Sequence, residues 1–490
     1  MARKQLKIGE VYSIKAGDWV AVHRDLDGPQ PFPPPTDSWS TAEATLWVGI
    51  ASYRDPRCGK TLHNMFTKAK HPERVHVAVV QQMVEGDADC MDDYCALAGK
   101  DANGECPFAK NVRVLRTDAA EAAGPTWGRH LQQYLLRDEE FCLQIDSHMD
   151  MIQDWEAGLM AEWAQINNEH AVLSTYVQDV EDLGVNVGGH FETSHLCEIL
   201  WEEQVRNEGA KALRLMTQPK LTTTWAAGLS FSKCHSMRAV PYDPYLPQVF
   251  DGEEFSYFAR LFTNGYDVYT PTKTYIGHDY NGANNPNAHG WYVATGRDRA
   301  AEEKMSDMRL WTLLEMPGGD STPEGRQAVQ FGPFGLGTAR TLDQLMDFAM
   351  IDLRTKTHKA DPADMCQDVH YVPCVGTPPE ESEYPDRMAD APFWDYVRSA
   401  LIAQGDWSPR DEVTMLQLLG RPLPQAQAQA RGIVHAELGT WWWFGFVALV
   451  AATVAAAKLV VMEANAAATG AKSAFGGLLP YVFRRGAKHV

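Results

Sequence analysis

Two common nucleotide-binding signatures are absent from this sequence. It contains no GxxxxGK[ST] loop and no GxGxxG turn, so neither the usual ATP motif nor the usual dinucleotide motif is present. Basic residues are also comparatively few: 44 Lys and Arg stand against 64 Asp and Glu, which gives a formal net charge of −20. A surface of this sign repels phosphate backbones, and this argues against a nucleic-acid partner.

Paired cysteine motifs are absent as well. The chain has nine cysteines, an odd number, so they cannot all be paired within the chain. Cys90, Cys95 and Cys106 lie close together, but their spacing lacks the CxxC form of a zinc ribbon. We expect these three to be loop thiols or to form one local disulfide.

No secretory signal is evident, because the first residues are polar and no N-x-S/T sequence occurs. One long apolar run does occur, WWWFGFVALVAATVAAAKLVVM at residues 441–462, and it is long enough to span a bilayer. The alternative is a buried alanine-rich helix. We expect a single-pass anchor with the large domain facing the cytosol, and a Golgi or ER lumen is the other possibility.

A regular alternation of apolar strands and helical segments begins near residue 44, after a proline-rich stretch. It predicts an α/β domain with a parallel sheet, in which ligands bind at the carboxyl ends of the strands. The predicted strands start at Thr45, Val75, Val112 and Phe141; the predicted helices are 62–70 and 126–137, and 87–110 is a predicted polar loop.

Polar residues follow several of these strands. The sequences Ser52-Tyr53-Arg54-Asp55 and Asp146-Ser147-His148 stand at two strand ends, and Asp118 stands at a third. An Asp and a His two residues apart suit a divalent ion such as manganese. Taken alone, this DxH pattern is weak, because it also occurs by chance at solvated strand ends.

A second segment, from Thr223 to Tyr280, adds to this pattern. Its small residues Ala226-Ala227-Gly228 would let the backbone approach a bulky ligand. Glu253 and Glu254 open a predicted helix, where carboxylates are favourable. His278, at the end of an apolar strand, could complete a metal site.

These motifs resemble those of a known enzyme family. SYRD, and LQIDSHM followed by a tryptophan, resemble the polypeptide α-N-acetylglucosaminyltransferases. That family includes enzymes that modify a hydroxyproline on the SCF ubiquitin-ligase adaptor and enzymes that initiate glycans on threonines of protozoan mucins. The stretch FDGEEFSYFARLF…IGHDY is further similar to the polypeptide N-acetylgalactosaminyltransferases. The resemblance runs from about Ala44 to Leu345.

The resemblance implies a GT-A-like fold and roles for particular residues. Asp146, His148 and His278 match the metal ligands of the family. Glu253 matches the acidic residue that contacts the donor sugar, and with Glu254 it forms the catalytic candidates. The residues that would bind the nucleotide or the donor sugar are Ser52, Arg54, Asp55, Asp118 (by position only), Arg129, Asp146 and Gly228.

The implied function is a metal-dependent, retaining transfer of N-acetylglucosamine from UDP-GlcNAc to a Ser, Thr or hydroxyproline hydroxyl of a polypeptide, with Mn²⁺ as the metal. Two alternatives stay open: a metal-dependent hydrolase, and a non-catalytic, membrane-held protein that binds a nucleotide sugar or acts as a scaffold. The expected organisation is an extension at 1–43, the transferase domain at 44–357, a Pro-rich or helical extension at 358–440, the membrane segment at 441–462 and a basic tail at 463–490.

Overall fold

The computed structural model describes residues 9–405, apart from 14, 23–29, 37, 42, 185–190, 209, 285, 288–297, 321, 361–365, 367–368 and 386–390. The apolar run at 441–462 and the basic tail at 463–490 lie outside the described residues. Within the described part, no helix is long and apolar enough to cross a bilayer.

Nineteen strands are described. In chain order they are β1 (Gly9–Ser13), β2 (Asp18–Val22), β3 (Leu46–Tyr53), β4 (Val75–Met83), β5 (Val112–Asp118), β6 (Phe141–Asp146), β7 (Met149–Met151), β8 (Ala171–Ser174), β9 (Gln178–Asp179), β10 (Glu192–His195), β11 (Ile199–Trp201), β12 (Val205–Asn207), β13 (Lys211–Arg214), β14 (Lys220–Leu221), β15 (Leu229–Lys233), β16 (Asp267–Thr270), β17 (Ile276–His278), β18 (Ile351–Asp352) and β19 (Thr357–His358).

The described α-helices are α1 (Cys58–Lys68), α2 (Cys90–Ala98), α3 (Pro125–Gln132), α4 (Trp155–Ile166), α5 (His235–Ala239), α6 (Glu253–Thr263), α7 (Arg299–Leu313), α8 (Pro323–Val329), α9 (Leu342–Phe348) and α10 (Ala391–Gln404). The helix predicted at 62–70 therefore begins four residues earlier, at Cys58. The helix predicted at 126–137 ends at Gln132 and continues as a short 3₁₀ turn.

The central sheet has eight strands in the order β14-β16-β8-β15-β6-β3-β4-β5. The four predicted strands, β3, β4, β5 and β6, are mutually parallel, as expected. The prediction of a wholly parallel sheet is wrong, because β15 runs antiparallel to both β6 and β8. The five-residue sequence of β15, LSFSK, carries no sign of the strand's direction, so the sequence pattern could not reveal this mixed sheet.

Successive side chains of a strand point to opposite sides of the sheet, and here the side chains on each side pack against helices. One buried cluster joins Val48 and Ile50 of β3 to Leu62 of α1 and Trp155 of α4. On the opposite face, a second cluster joins strand and helix side chains: Trp47 of β3, Val80 of β4, Leu131 of α3, and Val397 and Leu401 of α10. The domain is therefore a three-layer α/β structure.

Eight of the nine cysteines are paired. The disulfides are Cys58–Cys90, Cys95–Cys106, Cys142–Cys234 and Cys197–Cys366, and Cys374 is free. The expectation of loop thiols or one local disulfide is therefore wrong for Cys90, whose partner is distant in sequence. The predicted polar loop at 87–110 contains α2, whose first turn is capped by Asp89 through bonds from Met91 and Asp92 nitrogens.

The helix α10 falls in the region 358–440, which was predicted to be a Pro-rich or helical extension. It packs against β5, which is an edge strand of the central sheet. The Gln404 side chain accepts a hydrogen bond from the Arg116 nitrogen at 3.2 Å and donates one to the Arg116 oxygen at 3.4 Å. This amide occupies part of the exposed sheet edge, a place where unpaired strands invite aggregation.

Two neighbouring residues of α10 test this packing. Leu401 is 4% exposed and Ile402 is 48% exposed. We expect Leu401→Ala to lower the free energy of unfolding by about 2–4 kcal/mol, because it leaves a cavity beside β5. The control Ile402→Ala should change the free energy of unfolding by less than about 0.5 kcal/mol. Urea unfolding of the two variants measures the difference, and equal values would contradict the packing of α10.

Candidate functional site

A cleft of about 930 Å³ lies at the carboxyl ends of β3, β4 and β6. Strand alternation decides which side chains reach it. Ala51 and Tyr53 line the cleft, whereas Ser52 between them is buried on the opposite face of β3 and does not. Further walls come from α3, from the start of α6, from the end of β17, and from the segments that carry Tyr176, Asn207 and Gly228.

Two histidines meet in this cleft. β17 pairs antiparallel with β7, and this register places His278 opposite Met149, next to His148. The Nε2 atoms of His148 and His278 are 2.8 Å apart, and Nε2 of His278 is 3.7 Å from Oδ2 of Asp146. The structure therefore brings together the three side chains that the sequence proposed as metal ligands.

Asp55 holds one of these histidines from behind. Its Oδ2 lies 2.6 Å from Nδ1 of His148 and also accepts a hydrogen bond from the Ser147 hydroxyl. Burial would raise the pKa of Asp55, but its contact with His148 lowers it overall. Burial disfavours the charged form of His148, but Asp55 raises the His148 pKa overall. The sequence placed Asp55 at the nucleotide, whereas the structure places it outside the cleft lining, as a partner of His148.

The donor set suits a divalent ion. A carboxylate behind a histidine fixes the ring so that its other nitrogen faces a metal, and Nδ1 of His278 is buried without a partner among the described residues. Two Nε2 atoms at this distance can share a proton or bind a common metal ion. Among the described residues, however, no three His, Cys, Asp or Glu side chains are arranged so that they could already hold a metal ion. One oxygen of Asp146 instead accepts from Arg129.

Arg129 of α3 connects the two parts of the site. Its Nη2 donates to Oδ1 of Asp146 at 3.0 Å, and its Nη1 donates to Oε1 of Glu253. Burial would raise the pKa of Asp146, but Arg129 and the two histidines keep it below the usual value. For Glu253 burial outweighs Arg129, so its pKa is raised. The guanidinium therefore compensates two carboxylates at once.

Glu254 supports the opposite wall of the cleft. Its Oε2 accepts from the Tyr176 hydroxyl at 2.7 Å and from Nδ2 of Asn207 at 3.0 Å, and its Oε1 accepts from the Ala227 nitrogen at 3.0 Å. Burial raises the pKa of Glu254 to about 7, against the lowering effect of these donors. Glu253 and Glu254 open α6, as predicted. Sequence reasoning missed Tyr176 and Asn207, because no local motif marks either residue.

The remaining predicted residues do not all line the cleft. Gly228 lines the cleft, and a Cβ there would lie 3.3 Å from Oδ2 of Asp146, so a larger residue would crowd that carboxylate. Arg54 pairs with Asp87, at 2.8 Å from Nε to Oδ2. Asp118 accepts from the Ala120 nitrogen at 2.8 Å. Neither Arg54 nor Asp118 lines the cleft.

Arg57, in the loop after β3, was also not identified from the sequence. The Arg57 guanidinium contacts Asp279, the neighbour of His278, and donates to Oδ1 of Asp150 at 3.1 Å. The Asp279 nitrogen donates to the His148 oxygen at 3.0 Å. Arg57 therefore ties together the segments that carry the two histidines. Its position two residues after Asp55 in the SYRDPR run was the available signal.

Comparison with known proteins assigns the family. A family model described as glycosyltransferase (GlcNAc) matches residues 45–106 and 93–355, which is more than half of the chain. The chain belongs to this family. A search of curated proteins found no significant sequence match to this glycosyltransferase.

Solved structures similar to the glycosyltransferase are remote in sequence. GalNAc-T7 with UDP, GalNAc and Mn²⁺ is 13% identical with a TM-score of 0.41, and the match covers 70% of this chain but only 59% of that chain. S. aureus TarS 1–349 is 14% identical with a TM-score of 0.32, over 55% and 72% of the two chains. The mannosyltransferase PcManGT from Pyrobaculum calidifontis is 11% identical with a TM-score of 0.35, over 85% and 87%.

The raised pKa of Glu254 predicts a pH effect on stability. The folded-state pKa of about 7 exceeds the ordinary value of 4.5, so ionisation opposes folding as the pH rises through this interval. We expect Glu254→Gln to gain up to about 3 kcal/mol in unfolding free energy relative to wild type between pH 4 and pH 8. Urea unfolding at several pH values measures this, with exposed Glu105→Gln as control. A difference that does not vary with pH would contradict the shifted pKa.

Proposed function

We propose that this protein transfers N-acetylglucosamine from UDP-GlcNAc to a hydroxyl group of a polypeptide, with retention of configuration and with a divalent metal. The glycosyltransferase family supports the reaction class, and its GlcNAc description supports the sugar. We further propose that the α/β domain has a GT-A-like architecture, with the nucleotide sugar at the carboxyl ends of the parallel strands.

One observation carries this proposal: a single cleft collects a carboxylate, two facing histidines and a buried arginine–carboxylate pair. Asp146, His148 and His278 would hold the metal, with Mn²⁺ as the expected ion. A divalent cation, when bound, supplies positive charge that offsets the charge developing on a departing diphosphate. Asp55 would keep Nε2 of His148 directed at the cleft.

The protein's own residues have separate proposed roles. Glu253, held by Arg129 at the start of α6, would accept hydrogen bonds from hydroxyls of the donor sugar. Glu254 would position Tyr176 and Asn207, because its oxygens already accept from three groups of the protein. The walls around these groups would exclude water from the reacting carbon, which matters because a sugar cation reacts readily with water.

The rim of the cleft is consistent with a polypeptide acceptor. Phe250 and Tyr280 both line the cleft and are 53% and 56% exposed. Large exposed aromatic side chains beside a reaction site are typical of a surface that binds a partner. We therefore propose that they contact residues flanking the acceptor hydroxyl of a Ser, Thr or hydroxyproline.

The test measures release of UDP by the full-length protein with Mn²⁺ from UDP-GlcNAc, UDP-GalNAc and UDP-glucose, without an acceptor. We expect selective release from UDP-GlcNAc, and a loss of at least about 100-fold in Asp146→Asn, because the diphosphate charge is no longer offset. The control Asp92→Asn changes an exposed carboxylate of α2 and should retain full activity.

Each other outcome has a definite meaning. Release from another donor would contradict the sugar assignment and leave the reaction class standing. If UDP is released but no sugar is transferred when polypeptide acceptors are added in a second assay, the metal-dependent hydrolase is favoured. Tight binding of UDP with no turnover would favour the non-catalytic alternative.

We also propose that the domain folds in an oxidising compartment. Four disulfides occur in it, and such bonds are rare where glutathione keeps thiols reduced. This favours a lumen or the cell exterior over the cytosolic orientation expected from the sequence. A membrane anchor at 441–462 remains a proposal, and it is compatible with either side.

Thiol counting tests the pairing on which the compartment proposal depends. Protein purified under non-reducing conditions, denatured and alkylated should carry one label, at Cys374. After reduction it should carry nine, one for each cysteine in the chain. Mass spectrometry reads both numbers. Nine labels without reduction, in protein taken directly from its native compartment, would contradict the oxidising location.

A further inference from the structure

Gln82 is a buried polar residue with no assigned task. It is the penultimate residue of β4, lines the cleft and is 4% exposed. Its Nε2 has no hydrogen-bond partner among the described residues. Because a buried amide without a partner costs free energy, such a group in a cleft points to a ligand that completes its bonding.

The preceding residue provides a direct comparison. Gln81 is equally buried but faces the other side of β4, where its Nε2 donates to the Ala88 oxygen at 2.8 Å and its Oε1 accepts from the Cys90 nitrogen at 3.3 Å. Both polar atoms of Gln81 therefore contribute to the fold. Gln82 has the same side chain on the same strand, but its amide nitrogen is not used by the fold.

Tyr53 and Gly128 line the cleft together with Gln82. In the parallel register, Gln82 is paired with Tyr53 of β3, so both side chains lie on the same face of the sheet. Gly128 of α3 lies across from them. A Cβ at Gly128 would be 3.1 Å from Cβ of Ala51 and 3.7 Å from Oε1 of Gln82. Glycine at this position therefore lets α3 lie close against β3, beside the Gln82 amide.

We propose that Gln82 determines the base specificity of the donor by hydrogen-bonding the imide edge of uracil. This inference rests on the proposed function, which supplies a nucleotide-linked donor. Oε1 would accept from the uracil N3–H, and Nε2 would donate to an adjacent uracil carbonyl. Both partners of the amide are then satisfied, and Tyr53 offers an aromatic ring at the same end of the sheet.

This assignment replaces the sequence-based choice of Asp118 as the uridine contact. Asp118 is exposed, caps the following turn and does not line the cleft. A carboxylate can only accept hydrogen bonds, whereas an amide both accepts and donates. The imide edge of uracil requires both functions, and therefore fits Gln82.

The experiment measures binding of UDP, CDP and N3-methyl-UDP to the full-length protein by calorimetry with Mn²⁺. The wild type should bind UDP at least about tenfold more tightly than N3-methyl-UDP, since the methyl group removes the donor. In Gln82→Met, UDP should bind about tenfold more weakly, and the two nucleotides should differ by less than about threefold. In Gln82→Glu, the preference for UDP over CDP should fall about tenfold, since cytosine offers an amino donor.

Gln81→Met is the matched control. It should lower the melting temperature, because two fold-forming hydrogen bonds are lost, and should leave the ratio of UDP to N3-methyl-UDP affinity unchanged. An unchanged ratio in folded Gln82→Met or an unchanged UDP/CDP preference in folded Gln82→Glu would overturn the inference while the donor class stands. Failure of the wild type to bind any of the three nucleotides would instead overturn the proposed function.

Discussion

The site depends on one buried cation. Arg129 has acidic partners from two distant parts of the chain: Asp146 at the end of β6 and Glu253 at the start of α6. Glu253 is buried and Asp146 is partly exposed to the cleft, so removal of the guanidinium would leave Glu253 as a buried carboxylate without a compensating charge, which typically costs several kcal/mol. The position of α3 across the strand ends therefore fixes the geometry of the cleft.

The two histidines of the site are positioned in a different way. It is built on the small sheet of β7, β17 and β9, next to the central sheet. Pairing of β17 with β7 sets the meeting of His148 and His278, and Asp55 and Arg57 hold the surrounding segments from the loop after β3. Backbone pairing thus sets the approach of the rings, and buried ion pairs set their orientation.

Much of this arrangement was predictable from local pattern. Buried parallel strands are continuous apolar runs, so β3, β4, β5 and β6 and the strand-end position of Asp146 followed directly. Local sequence pattern does not show which way a strand runs or which distant residue a side chain contacts. The antiparallel β15, the cysteine pairing and the contact between Asp55 and His148 all depend on residues far apart in sequence. Ser52 was misplaced for a simpler reason, since strand alternation sends its side chain to the opposite face.

The pairing of distant segments also determines when this domain can become complete during synthesis. β1 pairs with β13, so Val11 cannot pair until Leu213 has been synthesised. The Cys197–Cys366 disulfide joins residues that are 169 positions apart in the chain. Gln404, which bonds to Arg116 of the edge strand β5, is synthesised 288 residues after Arg116. Closing such long loops is slow, and β5 is exposed meanwhile. The domain therefore finishes folding only after residue 404 leaves the ribosome, and until then the edge of β5 lacks the cover that α10 provides.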